Sequence, residues 1–147
     1  MKRTLPGVLV AIVVLLEAAV PAFAHHGYGT EFDGTKCMDL RGTLTAVKWE
    51  NPYGYFDMDV KGADGKVVSW HLELLTPNAM KRNGTTRTDF LTNMGKAAAA
   101  RVCPARPGYG ENRGSAEYIK LADGIIRVVG QLPEQGITPQ KLSFYNN

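Results

Sequence analysis

A chain of 147 residues with 17 basic and 14 acidic side chains has the length of one compact domain and would not divide comfortably into two. Its net charge of +3 comes without a Lys/Arg stripe or a run of like charge, which argues against nucleic acid as a partner.

The N-terminal residues run Lys2-Arg3, then an unbroken apolar stretch over residues 8–16, then Ala22-Phe23-Ala24. Charge, apolar run and A-x-A site in that order read as a secretory signal peptide. Glu17 ends the apolar run well short of the roughly 18 to 20 residues a spanning helix needs, and no cysteine follows it to take a lipid. No membrane anchor is therefore expected. Cleavage after Ala24 delivers the protein to the periplasm or the medium and divides the chain into a signal peptide (1–24), an N-terminal segment (25–36) and a single domain (37–147).

His25 and His26 then become the first mature residues. A free α-amine and two imidazoles are nitrogen donors that suit Cu(II) ahead of Ni(II) or Zn(II). Copper at His25-His26 is one expectation, and a solvated histidine tail is the other.

Residues 38–49 alternate as a strand, with a parity shift between Ala46 and Val47 that predicts a bulge. Asn51-Pro52 marks a turn. Residues 54–61 alternate again, placing Phe56, Met58 and Val60 inward and Tyr55, Asp57 and Asp59 outward. After GADGK, residues 67–74 place Val68, Trp70, Leu72 and Leu74 inward and Ser69, His71 and Glu73 outward, which predicts a hairpin. Thr76-Pro77 opens a short helix over residues 76–83: Thr76 is the N-cap, Pro77 is N1, Lys81 and Arg82 suit the C-terminal dipole, and Gly84 ends it. Further strands are expected over residues 97–103, 116–121 and 125–132.

Three strands, one short helix and two or three strands make a mainly β chain. This is the element order of an OB-like, five- or six-stranded Greek-key barrel, with its helix between the third and fourth strands. A small open β-sandwich is the alternative. In an exported protein the two cysteines, Cys37 and Cys103, pair as a disulfide more readily than they form a metal or redox site, and no CxxC is present.

The run HHGYGTEFDGTK, the stretch LRGTLTAVKWENPYGYFDMDVKGADGKVVSWHLELLTPNAMKRNG and the closing NRGSAEYIKLADG together resemble a family of small secreted bacterial proteins known as domain of unknown function 6152. The resemblance spans residues 25–124. The chain departs from the family pattern at Tyr53, where such proteins usually carry histidine, and in the alanine-rich, cysteine-bearing strand before Pro104. The resemblance implies an exported single domain with a barrel-like β fold, and it carries over no catalytic residues.

Two surfaces hold candidate chemistry. A hairpin with its loop at residues 62–66 sets Asp57 opposite His71 and Tyr55 opposite Glu73. These four polar residues lie on the strand 2 and 3 face with which OB folds bind oligonucleotides and oligosaccharides. The acidic side chains disfavour nucleic acid, so a sugar, a peptide or a cation fits the face better. The second surface is the His25-His26 end, where copper and a solvated tail are the two expectations. No H-E-x-x-H, G-x-S-x-G or catalytic Cys/His motif occurs, and Gly108, Gly110 and Gly114 miss the dinucleotide fingerprint. An enzyme is therefore not expected. A small binding domain and an accessory subunit of another envelope protein are the two functions carried forward.

Overall fold

The computed structural model describes residues 27–146. The expected signal peptide and the His25-His26 pair lie outside the described residues.

The first element, helix α1 (Tyr28–Glu31), is a single turn. It is followed by β1 (Met38–Lys48), β2 (Tyr55–Lys61) and β3 (Val67–Glu73). The long β1 serves two partners. Its first half pairs with β4 (Ala97–Pro104) and its second half with β2, and Thr43 pairs with both Ala97 and Asp59. Gly42 is required where the three strands meet, since a Cβ there would lie 2.1 Å from the Asp59 carbonyl oxygen. The bulge expected in β1 is present, but at Thr45, between Leu44 and Ala46.

The β2–β3 hairpin has the expected register, with Asp57 opposite His71 and Tyr55 opposite Glu73. Two short helices follow. In α2 (Pro77–Arg82), Thr76 Oγ1 accepts from the Ala79 amide at 3.1 Å. The second, α3 (Arg87–Thr92), was not anticipated and starts at a Thr86–Asp89 capping box. β5 (Arg113–Lys120) pairs antiparallel with β4 and parallel with β3 through His71–Arg113, Leu72–Gly114 and Glu73–Ser115. That parallel contact closes a five-stranded barrel in the order β1-β2-β3-β5-β4, the OB arrangement. A sixth strand, β6 (Ile126–Val128), pairs with β5.

Leu44, Phe56, Met58, Leu72, Ala100, Val102 and Ile119 fill the barrel, joined by Met80 of α2 and Phe90 of α3. Each large apolar side chain fully removed from water contributes about 1.5–3 kcal/mol, so Met80 and Phe90 anchor the two helices, with Pro77 also buried in α2 and Asp89 of α3 paired to Arg127. Val68 and Val67, at the hairpin tip, are 36% and 61% exposed. Strand parity placed Val68 inward, but the hairpin extends past the end of the core.

A second apolar cluster lies outside the barrel, where Leu142 and Phe144 pack on Ala99 and Tyr118. The alanine run in β4 therefore has two duties. Ala98 and Ala100 face the core, and Ala99 lets the C-terminal segment lie close against the strand. Cys37 and Cys103 are disulfide-bonded, with Cα atoms 3.9 Å apart, tying the start of β1 to the end of β4.

Candidate ligand-binding face

β2 and β3 project Tyr55, Asp57, His71 and Glu73 from the outer side of the barrel because these residues alternate with the buried Phe56, Met58 and Leu72. All four sequence-selected residues meet there. His71 Nδ1 lies 2.6 Å from Asp57 Oδ1. A carboxylate only accepts, so Nδ1 carries the hydrogen, and in the neutral ring Nε2 is left able to accept from or coordinate a ligand. The Tyr55 hydroxyl donates to Glu73 Oε2 at 3.2 Å. The diagonal pair Tyr55 and His71 stacks with ring centroids 4.9 Å apart and planes 10° apart. The His71 and Asp57 side chains are 46% and 38% exposed, so the pair is open to solvent while its geometry is already set.

The parallel β3–β5 contact adds a residue that hairpin reasoning missed. Arg113 sits beside His71 in register. Its guanidinium bonds Glu31 Oε1 at 2.9 Å and the Tyr109 carbonyl at 2.8 Å. Glu31 comes from α1, which lies against the loop between β4 and β5. Arg106 of that loop donates its backbone amide to the Glu31 carbonyl at 2.8 Å and Nε to the Gly29 carbonyl at 2.9 Å. Phe32 forms a β-bridge to Ala105. The hairpin face thus has a wall built from α1 and the β4–β5 loop.

These neighbours perturb the acids of the face. Burial, reinforced by the nearby charge of Glu31, raises the Glu73 carboxyl above its ordinary value. Burial and the adjacent Glu73 push the Tyr55 hydroxyl up to about 12, so at neutral pH it remains a hydrogen-bond donor. With Asp57, Glu73 and Glu31 against Arg113, the face carries more negative than positive side chains. It offers carboxylate acceptors beside an aromatic pair.

A buried carboxylate fixes the wall. Glu117 of β5 is wholly buried. It accepts from the Tyr28 hydroxyl at 2.7 Å, from Ser115 Oγ at 3.0 Å and from the Leu132 amide. Glu117 is the extra residue of a bulge in β5, since Arg101 pairs with Tyr118 and Val102 with Ala116, and the segment through Gly130 and Leu132 crosses over it. Gly130 is needed in that crossing segment, because a Cβ there would sit 2.2 Å from the Ala116 carbonyl oxygen. Burial raises the Glu117 carboxyl, and burial together with the Glu117 charge raises the Tyr28 hydroxyl.

Residues 12–115 match the model of a family described as a family of unknown function (DUF6152). The chain belongs to that family. Neither the curated proteins nor the solved structures contain a match to it. The DUF6152 span includes every residue of the hairpin face and its wall, Glu31, Tyr55, Asp57, His71, Glu73 and Arg113. Glu117 and the C-terminal segment lie beyond it. Among the described residues no helix is long and apolar enough to cross a membrane, and a formed disulfide fits an extracellular or periplasmic protein.

Proposed function

We propose that this DUF6152 chain is an exported binding domain that recognises a small polar ligand or a metal ion on the β2–β3 face, through Tyr55, Asp57, His71 and Glu73, with Arg113 and Glu31 beside them. The reading is one of binding, not catalysis. In it the signal peptide is removed after Ala24 and the disulfide forms in the periplasm.

The observation that carries this reading is the stacked Tyr55–His71 pair held between two carboxylates, Asp57 and Glu73. A merely solvated hairpin face gains little from such order, since exposed charge pairs are worth under about 1 kcal/mol. An aromatic surface beside hydrogen-bond acceptors suits a ligand rich in donors or carrying positive charge, such as a sugar, a basic peptide or a cation. The excess of carboxylates disfavours phosphates and nucleic acid. An accessory role on another envelope protein is the competing reading.

The test is an NMR titration of the mature protein with a neutral sugar, a primary amine, a dipeptide, Zn²⁺ and inorganic phosphate. Saturable shifts at Tyr55, His71 and Glu73 with at least one of the first four, lost in Tyr55→Ala, support the reading. Shifts confined to other surfaces, or none with any probe, overturn it.

A second reading, copper at His25-His26, rests on the nitrogen donors of the sequence alone. Copper titration of processed protein against a His25→Ala, His26→Ala variant tests it, and equal affinity in the two refutes it.

A further inference from the structure

Away from the hairpin face, the Sγ atoms of Cys37 and Cys103 and a carboxylate oxygen of Glu134 all lie within 4.8 Å of one another. Cys103 is fully buried, and Cys37 and Glu134 are half-buried. The grouping is built from three parts of the chain. β1 and β4 bring the cysteines together, and Glu134 reaches in from the C-terminal segment, held by Arg101 through two bonds of 2.8 and 2.6 Å. Asp39 holds the other side of the same guanidinium at 3.1 Å. Two sulfurs and a carboxylate are the donor set of a tetrahedral zinc-type site with one open position. The donors of such a site stand about 3–4 Å apart, given metal–ligand distances of about 2.0–2.3 Å. After reduction the two sulfurs have to move apart, and Glu134 has to share an oxygen between Arg101 and the ion, for the three to close around it.

In the disulfide the sulfurs are bonded to each other and are not thiolates, so the donor set is masked. We propose that reduction of Cys37–Cys103 by a dithiol uncovers a Zn²⁺ site made of Cys37, Cys103 and Glu134. The step balances. The dithiol gives two electrons and two protons, the S–S bond breaks to two thiols, and the reductant leaves as its own disulfide. The metal then displaces the two thiol protons. Arg101 bonds the group's carboxylates, and the two thiolates with Glu134 and Asp39 balance it together with a divalent ion to within one charge. This makes the disulfide a redox gate on metal binding, separate from the ligand face of β2 and β3.

The experiment uses the full mature chain and Co²⁺ as the spectroscopic stand-in for Zn²⁺. Thiolate-to-cobalt charge transfer reports only sulfur ligation, so nitrogen donors at the N-terminus do not contribute to it. Reduced protein is expected to bind one Co²⁺ with that band and to release it to Zn²⁺. The oxidised protein and Cys103→Ser should show no band. Glu134→Gln, which keeps an oxygen for Arg101, should weaken binding about ten-fold or more. The proposal is overturned by reduced wild type without the band, by Glu134→Gln binding as tightly as wild type, or by loss of the β-type far-ultraviolet spectrum on reduction.

Discussion

Tyr28→Phe removes one oxygen and tests whether the wall beside the β2–β3 face is fixed by the buried carboxylate of Glu117. The Tyr28 hydroxyl is one of three donors to Glu117, at 2.7 Å, and Glu117 has no exposed surface from which water could replace it. A hydrogen bond to a charged group contributes about 1.5–3 kcal/mol, and an acceptor left buried with one donor fewer loses nearer the upper half of that range. Two donors remain, so we expect a loss of about 2 kcal/mol. For a domain of this size each kcal/mol lowers Tm by about 4 °C, giving a fall of about 8 °C in thermal unfolding followed by circular dichroism at pH 7. Tyr145→Phe is the control, since that side chain is 40% exposed and a surface change of this kind stays within about 0.5 kcal/mol. A Tyr28→Phe melting point within about 2 °C of wild type would mean that Glu117 is supported without α1 and that the wall is not fixed through it.

Glu73 should titrate by NMR above the ordinary glutamate value of about 4.3, because burial and Glu31 both raise it; Glu31→Gln should bring the midpoint down, and an unchanged midpoint would remove Glu31 from the site. A native carboxyl raised in this way contributes stability that is full below the unfolded value and is lost as pH rises through the native one. Glu117 shifts in the same direction, so Glu117→Gln should flatten the part of the stability curve that declines from acid toward neutral pH, and a slope identical to wild type would contradict the burial argument. Loss of the disulfide, which closes a 66-residue separation, should cost about 4 kcal/mol by chain entropy in urea unfolding; a cost under about 1 kcal/mol would mean the unfolded chain is already constrained. Arg127→Met should cost about 2 kcal/mol. Its side chain is only 7% exposed and its loss strands Asp89 and Asp123, whose partial exposure softens the usual penalty for a broken buried pair; a loss below about 0.5 kcal/mol would show that water satisfies both acids.

The parts of the structure legible in the sequence are those that local chemistry decides. Period-two alternation and a five-residue turn set the β2–β3 register, and so brought Asp57 to His71 and Tyr55 to Glu73. Thr76-Pro77 marked α2 because an N-cap and an N1 proline act within one turn. Helix α3 was harder to see because its capping box carries Asp89 where Glu or Gln is the usual signal, and its six residues hold one core side chain, Phe90. Val68 fitted the inward parity, yet the alternation does not say where the barrel ends. The wall of the site was hidden for a different reason. Glu31, Arg113 and Glu117 are charged residues whose roles depend on contacts 82 and 89 positions apart in the chain. The parallel β3–β5 pairing that brings Arg113 to His71 leaves no local signature.

Binding of a small ligand by the β2–β3 face decides between the proposed function and an accessory role. Its most direct test passes a periplasmic small-molecule extract over mature wild-type protein and over a Tyr55→Ala, His71→Ala variant of matched fold, and reads the retained compounds and ions by mass spectrometry. At least one species carrying hydrogen-bond donors or positive charge should be retained by the wild type and lost by the variant. Identical retained sets, or retention limited to phosphorylated anions, would contradict it.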